Sequence, residues 1–341
     1  MRLNKMKAKI ESIAYYLPEY ILSNEDLEKE NPAWNRDLLE SRTGVRFRHI
    51  AQEHETALDL AVRACEKLFR ENIGLKEKVD GIIFCTQSAD YIMPPNACIL
   101  HKTLDLSENV FAFDCNLACS GYIYGLALAQ GLICSDVAKN ILIVNSDTYS
   151  KYIHKDDRSV RSLFGDAAAV SWVRASDTNQ GILDIQCATS GEHYDKFIIP
   201  AGGCRMPKSD KTNQVMVDDN GNKRTLEKIH MDGLGILGFV NSKVIEQVQW
   251  ILKRNQLRLD DIKLFIFHQA SKVALDSLSQ LLGINSDKIF QNLRDVGNTV
   301  SASIPMALSL ALKTQKLSAG DKVILSGFGV GLSWGTALIE I

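Results

Sequence analysis

The chain has 341 residues, 45% hydrophobic and 23% charged, with a formal net charge of −2 and a pI of about 6.4. That balance gives no general attraction for nucleic acid or an anionic membrane, and the length allows two domains with a sizeable core. The opening stretch MRLNKMKAKIESIAYYLPEY lacks the uninterrupted apolar core of a signal peptide, and no run approaches a membrane span, so the cytoplasm is the expected location.

Taken in chain order, the apolar pattern alternates between helix and strand. TALDLAVRACEKLFRENI (56–73) predicts a helix, GIIFCT (81–86) a buried strand, GYIYGLALAQGLI (121–133) a helix and NILIVNS (140–146) a strand. AGGCRMPKSDKTNQVMVDDNGNK (201–223) interrupts the pattern as a polar, Gly-bearing surface insertion or hairpin. SKVIEQVQWILKRN (242–255), KLFIFH (263–268), ASIPMALSLALKTQ (302–315) and KVILSGF (322–328) then repeat helix, strand, helix, strand. Continuously apolar strands beside helices imply a sheet covered on both faces, an α/β design. Asp80 and Asp261 precede comparable strands, and Leu142 and Val323 sit within another pair; both pairs are 181 residues apart. The shared offset predicts two related halves, with equivalent helix starts near Cys119 and residue 300 facing each other.

Eight cysteines are expected to stay reduced in this setting. Cys65, Cys85, Cys98, Cys134 and Cys187 lie among apolar residues and read as small buried hydrophobes. FDCNLACSGYIYG (113–125) is different. Its cysteines are spaced one residue too widely for a C-x-x-C redox pair, and no second ligand cluster supports zinc. Two core thiols or one nucleophile remain. Ser120-Gly121 breaks the strand pattern just before the helix, so Cys119 falls at a helix start, where amide dipoles favour the thiolate. A partner base is expected at His268, at the end of the strand in FIFHQAS; Asn298 lies in the turn DVGNTVSASIP, and GFGVGLSW (327–334) offers backbone amides for an oxyanion.

ACSGYIYGL, FGDAAAV, HQAS and GNTVSASIP follow one another along the chain. Together with SRTGVRFRHI and the closing GFGVGLSWGTALIEI, they make it similar, over nearly its whole length, to the 3-oxoacyl-[acyl-carrier-protein] synthase III family of the thiolase-like superfamily. The resemblance implies a duplicated α-β-α-β-α layered fold with two mixed five-stranded sheets, divided at 1–178 and 179–341, in a homodimer. It implies that Cys119 accepts an acyl group from an acyl thioester, acyl-CoA or acyl-carrier protein. It also implies that His268 and Asn298 promote decarboxylation of malonyl-acyl carrier protein, and that the amides of Cys119 and Val330 form the oxyanion hole. No metal and no bound redox cofactor are implied.

The primer site departs from the family pattern. Leu38 stands four residues before Arg42, where a Trp usually stacks on adenine, and Trp34, one turn earlier, is the expected substitute; Arg158 matches the second Arg. Ser271 replaces an Asn that contacts pantetheine, Leu234 replaces an Asn of the tunnel, and Val330 stands where Gly is common. Lys253, Arg254 and Lys272 are expected to meet the acyl carrier protein, and Met93 to approach the acyl tunnel of the dimer mate. Gln87 stands where the related 3-hydroxy-3-methylglutaryl-CoA synthases use a Glu base, which disfavours that chemistry. Acyl transfer from Cys119 to an amine or alcohol without decarboxylation, and a non-catalytic scaffold, are the remaining alternatives.

Overall fold

Two sheets, one from each half of the chain, carry the short apolar runs. The computed structural model describes residues 7–176, 178 and 180–341. The first sheet has the order Lys7–Tyr16, Ala167–Ser176, Asn140–Asp147, Gly81–Cys85 and Phe111–Cys115. It is mixed: Gly81–Cys85 runs parallel to both its neighbours, and the two strands at the other edge are antiparallel. The second sheet repeats this with Leu264–Phe267, Lys322–Gly329, Ser333–Glu340 and Gly181–Thr189. Here four strands form where five were expected. The fifth position is reduced to one parallel bridge between Phe265 and Ile289, because the short segment after Ser286–Lys288 turns almost at once into Leu293–Val296.

The 181-residue offset holds for the architecture but not to the residue. Leu142 pairs with Ile82, whereas Val323 pairs with Leu264 rather than Lys263. The strand spacing is one residue shorter in the second half.

Helices Gly121–Cys134 and Ser303–Lys313 lie between the sheets. Ile123 and Leu126 of one, and Ile304, Ala307 and Leu308 of the other, share a core with Ile83, Ile141 and Ile143 of the first sheet and Leu264, Ile266, Val323 and Leu325 of the second. Both helices are apolar on most sides because both faces are covered. Ala57–Glu71 covers the outside of the first sheet; its start is fixed by a capping box of Thr56 and Asp59. Ile245–Arg254 and Lys272–Leu282 cover the outside of the second sheet. The layers are therefore α-β-α-β-α. The helix predicted from residue 242 is preceded by a π-helical turn, Val240–Val244, a local irregularity that accompanies functional sites.

Cys65 and Cys85 are buried as expected, but Cys98 and Cys134 are exposed and Cys187 only half-buried. Cys98 and Cys134 fall on the outer sides of their helices, which a run of apolar neighbours in sequence does not reveal.

Candidate active site

Cys119 is positioned by the end of an edge strand. Phe111–Cys115 leaves the first sheet, and helix Gly121–Cys134 follows five residues later. No side chain caps that helix; the Ser120 hydroxyl instead shares a hydrogen bond with Ser333 Oγ at 2.7 Å. Cys119 is 3% exposed, yet it lines a cavity of about 590 Å³. Glycines make the room: a Cβ at Gly329 would stand 3.1 Å from Cys119 Sγ, and one at Gly327 would stand 2.6 Å from the Cys119 carbonyl oxygen. Burial pushes the thiol well above its usual range, the nearby Asp147 carboxylate adds to the rise, and the Cys119 backbone N–H opposes it. This departs from the expected helix-start thiolate, because desolvation outweighs the amide dipoles. Cys115 packs against the core between the sheets, whereas Cys119 belongs to the other core, which also holds Tyr149, Phe164 and Phe197. Among the described residues no cluster of three or more potential metal ligands forms.

His268 follows strand Leu264–Phe267. Its Nδ1 lies 2.7 Å from Ser303 Oγ, and its ring stands edge-on to Phe328 with centroids 5.5 Å apart. Burial lowers its pKa to about 3, so the imidazole is neutral near pH 7. Asn298 is held by its own backbone, whose N–H donates to the Leu163 carbonyl at 2.9 Å and whose carbonyl accepts from Gly165 N at 3.0 Å. The preceding Gly297 has φ +71, and a Cβ there would meet the Leu163 carbonyl at 2.9 Å. The Asn298 carboxamide accepts from Val300 N at 3.0 Å and donates to the Ala270 carbonyl at 3.3 Å, which leaves one Nδ2 hydrogen for another acceptor. Val300 itself sits at φ +52, a region β-branched residues avoid. His268 and Asn298 line the same cavity as Cys119.

The sequence signals did not single out Asp147 or Ser303. Asp147 ends the strand Asn140–Asp147 and accepts hydrogen bonds from Gln87 N at 2.8 Å, Ser88 Oγ at 3.2 Å and Ser301 Oγ at 3.1 Å. It ties the first half to the turn Val300–Ala302 just after Asn298. Burial raises its pKa to about 7.

The remaining candidates separate by place. Arg42, Leu234 and Ser271 line the main cavity. Arg42 also lines an adjoining cavity of about 340 Å³ with Leu38 and Arg158, so the two arginines flank one mouth. Neither forms an ion pair among the described residues. The insertion borders this mouth: its Asp218, Asn220 and Asn222, and Arg224 just after it, line the main cavity, and Arg224 pairs at 3.2 Å with Asp157, which caps the short helix carrying Arg158. Ser271 Oγ caps helix Lys272–Leu282. Trp34 does not reach the mouth, contrary to expectation. It precedes the N-cap Asn35 of helix Arg36–Thr43, so it does not continue that helix's face and is buried with Leu22, Leu27 and Leu39.

Lys272 lies beside Gly44, near the mouth, and pairs with Asp276. Lys253 and Arg254 lie away from the mouth. Arg254 pairs with Asp184, which faces Leu338, while Thr189 at the active-site end of the same strand faces Ser333. Five residues at about 3.3 Å each put that pair roughly 17 Å along the strand. Met93 is exposed beside Tyr91 and Ile92 and lines neither cavity. The Val330 carbonyl accepts from Ser333 Oγ at 2.7 Å, and Val330 lines a third chamber of about 400 Å³. Phe197 forms a wall of both that chamber and the main cavity.

A duplicated layered α/β fold with a cysteine, a neutral histidine and a carboxamide around one cavity defines a thiolase-like acyltransferase. Comparison with known proteins agrees. The sequence model of 3-oxoacyl-[acyl-carrier-protein (ACP)] synthase III matches residues 113–191, and that of its C-terminal part matches residues 252–341. The beta-ketoacyl-[acyl-carrier-protein] synthase III of Campylobacter curvus is 37% identical over 337 residues, spanning 98% of this chain and 97% of that protein. That of Clostridium perfringens is 34% identical over 334 residues, spanning 98% and 99%. A crystal structure of a 3-oxoacyl-(acyl-carrier-protein) synthase III superimposes with a TM-score of 0.96 at 37% identity, over 98% of this chain and 100% of that one. The Pseudomonas aeruginosa synthase III superimposes with a TM-score of 0.85 at 32% identity, covering 98% of each. This chain belongs to the 3-oxoacyl-[acyl-carrier-protein] synthase III family.

Proposed function

We propose that the chain condenses an acyl thioester with malonyl-acyl carrier protein, with Cys119, His268 and Asn298 as catalytic residues. The observation that carries this reading is the shared cavity: thiol, imidazole and carboxamide, from three separate segments, line one space whose mouth is flanked by Arg42 and Arg158. Cys119 Sγ attacks the acyl carbonyl; its proton goes to the departing thiolate, and the acyl-enzyme remains. Malonyl thioester then loses CO₂, and the electron pair of the broken C–C bond becomes an enolate. His268 and Asn298 donate to its oxygen. A neutral ring that accepts the Ser303 hydroxyl at Nδ1 carries its proton on Nε2, the tautomer that a donor to the enolate requires. The enolate carbon attacks the acyl-Cys119 carbonyl, the C–S bond breaks with its electron pair going to Cys119 Sγ, which regains a proton from solvent, and a 3-oxoacyl thioester leaves. The backbone amides of Cys119 and Val330 hold the oxyanion in the acyl steps. No step needs a metal or redox cofactor.

The two unpaired arginines suit the phosphates of a pantetheine carrier. Among the described residues no aromatic ring lines the mouth, so adenine finds no aromatic face there, which favours a starter delivered on a carrier protein over coenzyme A. The halves 1–178 and 179–341, a homodimer and a cytoplasmic setting belong to the same reading; the exposed run Tyr91, Ile92 and Met93 supports the dimer.

Asn298→Ala tests the assignment. Acylation of Cys119 is expected to persist while CO₂ release from malonyl-acyl carrier protein falls about a hundredfold or more. A wild-type enzyme that acylates but never releases CO₂ would favour transfer to an amine or alcohol.

A further inference from the structure

The chamber of about 400 Å³ beside Cys119 is lined by Gln87, Asn116, Tyr149, Tyr152, Tyr194, Phe197 and a few aliphatic neighbours. It is separate from the arginine mouth, and Phe197 is the wall between it and the main cavity. Cys119 packs in one cluster with Tyr149 and Phe197. Gly329, where a Cβ would stand 3.1 Å from Cys119 Sγ, directly precedes Val330 of the chamber wall, so the chamber is next to any acyl group carried on that sulfur.

The chamber has a polar, uncharged corner. The Tyr149 hydroxyl donates to Gln87 Oε1 at 2.6 Å, and Gln87 Nε2 donates to Asn116 Oδ1 at 3.0 Å. Gln87 is fixed from behind, since its backbone N–H donates to Asp147 at 2.8 Å. Tyr149 is fixed by Phe164 and Phe197, with ring centroids at 5.4 and 6.3 Å. After these bonds the cluster still presents both Asn116 Nδ2 hydrogens, the second Gln87 Nε2 hydrogen and the Tyr149 oxygen lone pairs. A hydrocarbon chain laid against them strips their water and returns no hydrogen bond. A hydroxyl both donates and accepts. Among the described residues no charged side chain lines the chamber, so a carboxylate finds no counter-ion among them.

We propose that Gln87, Asn116 and Tyr149 select a short, neutral, hydroxylated acyl group as the chain carried by Cys119. The proposal rests on the acyl-Cys119 reading above and adds the chemistry of the chain. Its test compares rates of Cys119 acylation by butyryl-, 3-hydroxybutyryl- and 4-hydroxybutyryl-pantetheine, and by succinyl-pantetheine, with intact-protein mass spectrometry. One of the hydroxylated chains is expected to react about tenfold or more faster than butyryl, and succinyl slowest. Gln87→Leu should reverse the order toward butyryl. Tyr149→Phe, which keeps the ring packing, should narrow the preference. Butyryl reacting as fast as the faster of the two hydroxylated chains in the wild type, or an unchanged preference in both variants, overturns the proposal while leaving acylation at Cys119 intact. No adduct from any of the four thioesters overturns the underlying reading instead.

Discussion

His268 and Asp147 are both buried, and burial acts on them in opposite directions along the pH axis. His268 has its pKa lowered from 6.5 to about 3, so between those values the unfolded chain holds the extra proton and stability rises with pH. Asp147 is raised from 3.8 to about 7, so in that window the folded chain holds the extra proton and stability falls as pH rises. Asp166, raised to about 6 by burial, adds to the fall. Asp147→Asn removes one falling contribution. Its stability relative to wild type should climb by up to about 1.4 kcal/mol per pH unit from about pH 4.5 to 6.5, and level off above about pH 7.5. Urea denaturation across that range measures it; parallel curves would mean that Asp147 ionises in its ordinary range. Neither Asp147 nor Ser303 was legible in the sequence, because each acts through a contact made by chain folding: Asp147 to Ser301 across the two halves, and Ser303 to a histidine 35 residues away. His268 stood out because it sits where an apolar run stops, and Cys119 and Asn298 because each sits in a polar turn just before an apolar helix.

At the scale of elements, the hairpin of Lys322–Gly329 and Ser333–Glu340 presses its glycines onto the start of the cysteine helix. The two glycines face different atoms and should fail differently. Gly329→Ala would set a methyl group 3.1 Å from Cys119 Sγ; the fold should survive, with acylation down about tenfold or more. Gly327→Ala would meet a backbone carbonyl at 2.6 Å, and should destabilise the protein by about 1–3 kcal/mol. Thermal melts and acylation rates of the pair check both; equal losses of stability would show that the thiol is not the crowded atom. The continuous strands were legible because they are apolar throughout. The bridge at Ile289 and the buried place of Trp34 were not, since the first depends on how soon the following segment turns and the second on where helix Arg36–Thr43 begins.

Across the whole molecule, the mouth and the basic residues of Ile245–Arg254 lie at different ends of the second sheet. Replacing Lys253 and Arg254 together with Ala should leave the KM for malonyl-acyl carrier protein within about twofold, since exposed cations away from the mouth contribute little. A KM rise of about tenfold would place the carrier along that helix after all. Sequence alone suggested these residues because a carrier is acidic and they are basic; their distance from the mouth is a property of the fold. The account stands most directly on one sulfur atom. Intact-protein and peptide mass spectrometry of the wild type after exposure to acyl-acyl carrier protein should show a single acyl adduct on Cys119, absent in Cys119→Ala. An adduct on another cysteine, or none with any acyl thioester, would contradict it.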